Sequence, residues 1–255
     1  MNHQILGTNL PVLELQLQPG ESVIAVSGEL SWMSASIDLQ TTTGSGGGGL
    51  GGLFKRVAGG GSLFMTKYTA QGAPGLLAFA TKMPGHILPV EIGAGTEYMV
   101  HRHGFLCATD GVTIGVGFQQ SLGAGIFGGD GFLLQKLSGQ GTAWLELSGE
   151  LIMKQLAPGE VLRVHPGHVG AFHSTVAFQI TMVPGLKNAI FGGDGLFLAV
   201  LQGPGTVWLQ TLPISRLAHQ IGEYLPHGER RSAPAAAVGG GLLGGIVGSI
   251  LSGDQ

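Results

Sequence analysis

Five histidines are the residues most capable of chemistry in this sequence: His101, His103, His165, His168 and His173. Imidazole nitrogens are common ligands of zinc, copper, nickel and iron. In a β-strand, side chains two residues apart point to the same face, so His101 and His103 would present two imidazoles to one ion. The candidate metal ligands are therefore His101, His103 and His168.

The segment 95–103 is similar in spacing to the first metal motif of the cupins, G-x5-H-x-H. It departs from that motif further on, because positions 107 and 108 hold Cys107 and Ala108 instead of the required glutamate. The segment 165–168 does not reproduce the second cupin motif. The alternative is that His101 and His165 are equivalent positions at strand ends, and that residues 166–168 form a turn.

The other candidate catalytic groups have simpler structural explanations. Asp130 and Asp194 occupy the same place in two FGGDG segments and could bind a cation, but Asp-Gly is also typical of two-residue hairpin turns. Cys107 lies in the apolar run FLCAT, which predicts a buried, inert thiol. No motif provides a Ser-His-Asp arrangement around Ser22 or Ser27. The sequence therefore predicts no catalytic residue and no cofactor.

Composition narrows the class of protein. Only 11% of the 255 residues are charged and the net charge is −3, so the clustered positive charge that nucleic-acid binding needs is lacking. Cys107 is the only cysteine, which excludes an internal disulfide. The first residues, MNHQILGTNL, lack the basic and apolar regions of a signal peptide. We expect a cytoplasmic protein with no nucleic-acid partner.

The abundance of glycine indicates strands and tight turns. Glycine accounts for 48 residues, and each interior glycine costs a helix about 1 kcal/mol relative to alanine. The segments 12–18, 22–26 and 142–149 alternate or run apolar between Pro-Gly and Gly-x-Gly turns, as strands do. Apolar residues recur at helical spacing over 214–225. The predicted fold class is all-β with a short C-terminal helix at 214–225.

Two sequence patterns recur three times each. A turn followed by a strand and a second glycine begins at 19, 94 and 158, and a glycine turn followed by two strands begins at 59, 128 and 192. Each unit alone supplies strands that cannot bury their apolar face. We therefore predict one all-β domain over 1–225, with repeats at about 5–80, 81–148 and 149–213 packed as a pseudo-threefold sandwich or barrel.

Several motifs together resemble a known family. They are SWM at 31–33, KR at 55–56, PGHILPVEI at 84–92, GFLCAT at 104–109, FGGDGF at 127–132, GHVGAF at 167–172 and GPGTVWLQT at 203–211. Their order and spacing, from about residue 4 to 222, resemble the family named for altered inheritance of mitochondria, member twenty-four. The resemblance implies a fold similar to the tryptophan RNA-binding attenuation protein, tripled within one chain, and does not imply RNA binding; mitochondrial members are linked to inner-membrane organisation. Ser62 departs from the family pattern, which usually has glutamate there.

Two glycine-rich segments are candidate contacts for a membrane or a partner. In the loop 44–61 the candidates are Leu50, Leu53, Phe54, Lys55 and Arg56. In the C-terminal segment 226–255 the candidates are Gly240, Gly244 and Gly248, whose four-residue spacing is typical of helices that pack closely in lipid. No charged residue occurs from 235 to 251, although the tail is short for a membrane span. In water the tail is expected to be disordered, with association with a membrane or a partner as a conditional state.

These patterns favour a non-enzymatic β scaffold or binding module. We expect it to form a homo-oligomer and to associate peripherally with the inner membrane. A cupin-like metal-binding enzyme is the alternative, and RNA binding by analogy of fold is a weaker one.

Overall fold

Strands dominate the computed structural model, which describes residues 1–42, 65–120, 131–182 and 197–224. In chain order they are β1 (Asn2–Leu6), β2 (Val12–Leu17), β3 (Ser22–Val26), β4 (Trp32–Met33), β5 (Ile37–Thr42), β6 (Met65–Ala70), β7 (Gly75–Ala80), β8 (Gly85–Ile92), β9 (Tyr98–His101), β10 (Phe105–Thr109), β11 (Val112–Gln120), β12 (Phe132–Gly139), β13 (Gly141–Ser148), β14 (Leu151–Leu156), β15 (Val161–Val164), β16 (Val169–His173), β17 (Ala177–Met182), β18 (Phe197–Gln202) and β19 (Gly205–Gln210). A short 3-10 helix covers Pro166–His168, and the α-helix α1 covers Ile214–Tyr224. The predicted all-β class with a short C-terminal helix is confirmed.

Local sequence explains where the first strands lie. In β2 the leucines Leu13, Leu15 and Leu17 alternate with polar residues, and all three are fully buried. The chain then turns at Gly20, whose φ of +86° lies in the region that glycine adopts without steric cost. The next strand, β3, coincides with the predicted segment 22–26.

The described strands form four antiparallel sheets. Their orders are β1-β2-β7-β4, β5-β6-β3-β10-β13-β8, β11-β12-β9-β16-β19-β14 and β15-β18-β17. Adding six to every strand number of the second sheet gives the order of the third. The pseudo-threefold packing expected from the sequence repeats stays a prediction, but this offset shows that strand pairing follows one rule in both large sheets.

Three apolar cores lie between these sheets in the described residues. Core 1 contains the leucines of β2 together with Tyr68, Phe79 and Trp144. Core 2 is built around Val100, Ile114 and Trp208. Core 3 is built around Phe132, Phe172 and Leu201. Burial of these apolar surfaces is the main favourable contribution to stability, at roughly 25 cal/mol per Å².

The pair formed by β3 and β10 has apolar cores on both of its faces. Ala25 and Cys107 lie opposite each other and face core 1. Ile24 and Ala108, one residue away in each strand, face core 2. Because successive side chains point to opposite faces of a sheet, one six-stranded sheet serves two cores.

Residues 1–219 form one compact unit and residues 220–255 a second. Within the second, the described part is the end of α1, where the Gln220 amide donates to a carboxylate oxygen of Glu223 at 3.2 Å. No helix in the described ranges is long and apolar enough to cross a bilayer.

Candidate functional site

A cavity of about 210 Å³ lies beside the predicted histidine cluster. His101 and His103 line it from the end of β9 and the turn that follows, and further walls come from β12 and the start of α1, with Phe132, Ile214 and Ala218 among them. The lining is mostly apolar apart from the two imidazoles, Arg102 and Ser215. The sequence patterns therefore identified two residues of a pocket that they did not otherwise reveal.

A tight turn holds the two histidines. β9 ends at His101, and the Gly104 N–H donates to the His101 carbonyl oxygen at 2.7 Å. A Cβ at Gly104 would lie 2.8 Å from a methyl group of Val100 and 3.2 Å from the His101 carbonyl oxygen, so a larger residue would force its neighbours to shift. The prediction that His101 and His103 share one face of a strand is therefore wrong, because His103 lies in the turn.

His101 is held as a neutral imidazole. Its Nδ1 accepts a long hydrogen bond of 3.5 Å from the His103 backbone N–H. Burial, followed by the nearby His103 and Arg102, lowers the pKa of His101 to about 3. Burial also lowers the pKa of His103, with Arg102 and Lys82 adding to the effect.

His168, the third predicted metal ligand, has a structural role. It ends the 3-10 helix, which confirms that residues 166–168 form a turn, and its Nδ1 donates to the Gln210 carbonyl oxygen at 2.7 Å. The His165 Nδ1 accepts from the Gly167 N–H at 3.3 Å. Across the described ranges, no group of three His, Cys, Asp or Glu side chains could hold a metal ion.

Gln210 locks this region together and was not found from the sequence. Its side chain is 5% exposed, accepts from the Ser148 N–H at 3.1 Å and donates to the Gly167 carbonyl at 3.0 Å. An amide bonded at both ends by backbone groups fixes the 3-10 helix against β13 and β19. Nothing in the local pattern distinguishes it from an ordinary strand glutamine.

The sequence patterns also missed a buried carboxyl, Glu146. It is 6% exposed, and its Oε1 accepts from the Lys82 backbone N–H at 3.0 Å, while Oε2 has no hydrogen-bond partner among the described residues. The Lys82 ammonium instead donates to Glu29 at 2.6 Å. Burial therefore raises the pKa of Glu146, and the nearby Lys82 only partly opposes this.

The side chains considered as nucleophiles, Cys107, Ser22 and Ser27, are buried or hydrogen-bonded. Cys107 is fully buried, as predicted, and burial raises the pKa of its thiol well above the usual value, with Glu29 adding to the effect. The Ser22 and Ser27 hydroxyls each share a 2.9 Å hydrogen bond with a threonine, Thr69 and Thr66 respectively.

Apolar side chains, in contrast, are exposed along several strands. Trp32 is 46% and Met33 39% exposed on β4, and Ile152 and Met153 are exposed on β14. The membrane or partner contacts predicted from the sequence lie outside the described residues: Leu50, Leu53, Phe54, Lys55, Arg56, Gly240, Gly244 and Gly248. The candidate cation ligands Asp130 and Asp194 lie outside them as well. They stay predictions.

The chain is similar to proteins known from sequence and from structure. The family model described as mitochondrial biogenesis AIM24 matches residues 3–212. An uncharacterised protein of Streptococcus pyogenes serotype M6 is 29% identical over 221 residues, which cover 85% of this chain and 87% of that protein. A crystal structure of a Streptococcus pyogenes protein, solved by a structural genomics consortium, shares the fold with a TM-score of 0.72 at 23% identity, covering 88% of this chain and 99% of the other.

Proposed function

This chain belongs to the AIM24 family, and we propose that it is a non-enzymatic β scaffold that self-associates and works at a membrane surface. The relatives described above are uncharacterised, so the proposal rests on the residues of this chain. The observation that carries it is the contrast between reactive and apolar groups. Cys107 is fully buried, and His101 and His168 are hydrogen-bonded through a ring nitrogen. Trp32 and Met33, in contrast, are exposed on a strand at the end of a sheet.

Exposed apolar strands favour a protein partner over a small substrate. Aromatic and methionine side chains are enriched where proteins bind one another. The described lining of the small cavity at His101 provides a neutral imidazole and no carboxylate, an arrangement that does not favour acid–base catalysis. Self-association of the repeated strands is the simplest way to cover the exposed side chains.

Self-association is tested on the full chain by light scattering coupled to size-exclusion chromatography. We expect a mass above the 26.1 kDa of one chain that falls on dilution over a hundredfold range. A mass of one chain at every concentration would contradict the scaffold proposal.

Association with a membrane is tested separately, because the segments that motivate it lie outside the described residues. Deletion of 232–255 and the double change Lys55→Glu with Arg56→Glu should each lower the membrane-bound fraction after cell fractionation. An unchanged distribution in both variants would remove the membrane from the proposal and leave the scaffold.

The cupin-like metal enzyme is not favoured by the arrangement of His101, His103 and His168. Metal analysis of protein purified without an affinity tag decides the matter. We expect substoichiometric metal, and one tightly bound ion per chain would contradict the proposal. RNA binding gains no support from a net charge of −3.

A further inference from the structure

Two antiparallel strand pairs inside the chain join neighbouring cores, and we call them the internal junctions. In the junction of β3 with β10, Cys107 lies opposite Ala25. In the junction of β9 with β16, Ala171 lies opposite Val100. Both junctions are three residue pairs long. In each case the later strand extends a sheet that the earlier strand begins.

Two strands at the ends of the first and fourth sheets resemble the strands of the internal junctions but, among the described strands, have one unpaired side. In the part of the chain that the structure describes, β4 has only β7 as a neighbour and β15 has only β18. We call these the β4 edge and the β15 edge. An unpaired edge exposes backbone N–H and C=O groups that can pair with another strand.

The register shows that β15 corresponds to β3 and β9. Each follows a turn glycine with positive φ, and the fifth residue after that glycine is the junction residue: Gly20 and Ala25, Gly95 and Val100, Gly159 and Val164. Among the described strands, none pairs with β15 in the way that β10 pairs with β3 and β16 with β9.

The register likewise shows that β4 corresponds to β10 and β16. Each of these three strands also pairs with a strand whose first residue is glycine, namely β7, β13 or β19. The fourth residue of that neighbour pairs with the equivalent residue in each case: Ala78 with Trp32, Trp144 with Cys107, and Trp208 with Ala171. Trp32 is thus the counterpart of Cys107 and Ala171.

The three tryptophans of the chain reveal what the β4 edge lacks. Trp144 is fully buried in core 1 and Trp208 is 9% exposed in core 2, so each indole packs into the core that precedes its own. At the first copy the large and small residues are exchanged between strands, with alanine at position 78 and tryptophan at position 32. Among the described residues no core precedes core 1, and Trp32 is 46% exposed.

The β15 edge offers the surface that Trp32 lacks. Leu162 and Val164 are only partly buried against core 3, and Val161 is 50% exposed. Arg163 stands where the internal junctions have Ile24 and Met99. A charged side chain at that position makes the pairing weaker than the internal junctions, so it suits a reversible contact.

We infer that the β4 edge of one copy pairs with the β15 edge of a second copy, in the register of the internal junctions. Trp32 then lies opposite Val164 and extends core 3 of the other copy, and Met33 lies opposite Arg163. The contact is head-to-tail, so it produces a closed ring or an open filament of copies. This inference rests on the proposed self-association and specifies the surface responsible for it.

Disulfide crosslinking tests the register while keeping Trp32. Residues paired across antiparallel strands have Cα atoms about 4.5–5.5 Å apart, which a disulfide can bridge. Met33→Cys protein mixed with Arg163→Cys protein should form a disulfide-linked dimer under mild oxidation, and neither variant alone should do so. Met33→Cys mixed with Val161→Cys, two residues out of register, is the matched control and should crosslink far less. The native Cys107 is buried and does not interfere.

Truncation of the indole tests the energetic role of Trp32. Trp32→Ala should weaken self-association at least about tenfold. Met153→Ala removes a side chain that is 64% exposed on β14, a strand in a different sheet from β4 and β15, and should leave self-association unchanged. Thermal unfolding of each variant verifies that it is folded.

The outcomes separate this inference from the scaffold proposal. Self-association that persists in Trp32→Ala, without crosslinking in register, would overturn the inference and leave the scaffold standing. A disulfide formed only within single chains of a Met33→Cys, Arg163→Cys double variant would show that the two edges close on themselves, which also overturns it. A wild-type protein that is monomeric at every concentration would contradict both.

Discussion

Replacing His101 with glutamine is expected to change how the stability of the protein depends on pH. The pKa of His101 is lowered to about 3 by burial and by the adjacent His103 and Arg102, whereas an unfolded histidine titrates near 6.5. Between these two values the unfolded chain binds a proton that the folded protein excludes. The free energy of unfolding of the wild type should therefore fall as the pH drops below about 6.5.

The magnitude follows from the two pKa values. At pH 5, the excluded proton destabilises the folded state by about 2 kcal/mol if water is fully kept from the ring. The side chain of His101 is only partly buried, so solvent screening reduces this to between about 1 and 2 kcal/mol. Glutamine does not titrate, so the variant should lose this part of the acid sensitivity and keep the rest.

Urea unfolding of both proteins between about pH 8 and pH 5 measures the effect. The difference in the free energy of unfolding between variant and wild type should be constant above pH 7. As the pH falls below that value, the variant should become more stable relative to the wild type. His103→Gln is the control, because the pKa of His103 is also lowered but its side chain is exposed, so a smaller shift is expected. Parallel stability curves for His101→Gln and the wild type would refute the reasoning.

Three further predictions concern the interior. Glu146→Gln should stabilise the protein near neutral pH, because burial raises the pKa of that carboxyl and its ionisation there is costly; the advantage should vanish on acidification, and a destabilised variant at neutral pH would contradict this. Gly85→Ala should cost at least about 2 kcal/mol in urea unfolding, since the new Cβ would lie 2.1 Å from a backbone carbonyl oxygen, whereas Gly93→Ala, with nothing within 4 Å, should cost under about 1. Trp144→Ala should cost about 3–5 kcal/mol and Trp32→Ala, measured as the monomer, much less, because Trp144 is fully buried and Trp32 is 46% exposed; equal costs would contradict the burial difference.

Sequence patterns predicted the elements that depend on local spacing. The strands at 12–18 and 22–26 and the helix at 214–225 were found to within a residue or so, because alternation, helical spacing and turn glycines are local signals. The burial of Cys107 and the turn at 166–168 followed from the same kind of pattern.

The pairing between distant strands was beyond local patterns. Whether His101 and His103 share a face depends on where β9 ends. The strand ends at His101 because the Gly104 N–H donates to the His101 carbonyl oxygen and closes a turn. Glu146 lies in an apolar strand whose two faces are both covered, a circumstance that depends on strands far away in sequence. The pocket beside His101 likewise needs β9, β12 and α1 together.

Because the sheet containing β3 and β10 serves two cores, the chain cannot be divided into independently stable fragments at the borders between its sequence repeats. A fragment ending near residue 80 would leave Ile24 exposed and would lose Cys107 and Trp144 from its own interior. Unfolding should therefore be a single cooperative transition of the strand-rich region. A destabilising substitution at one junction should weaken the cores on both sides of it. For the same reason, any attempt to shorten or lengthen the array must keep complete the strand that each unit contributes to its neighbour.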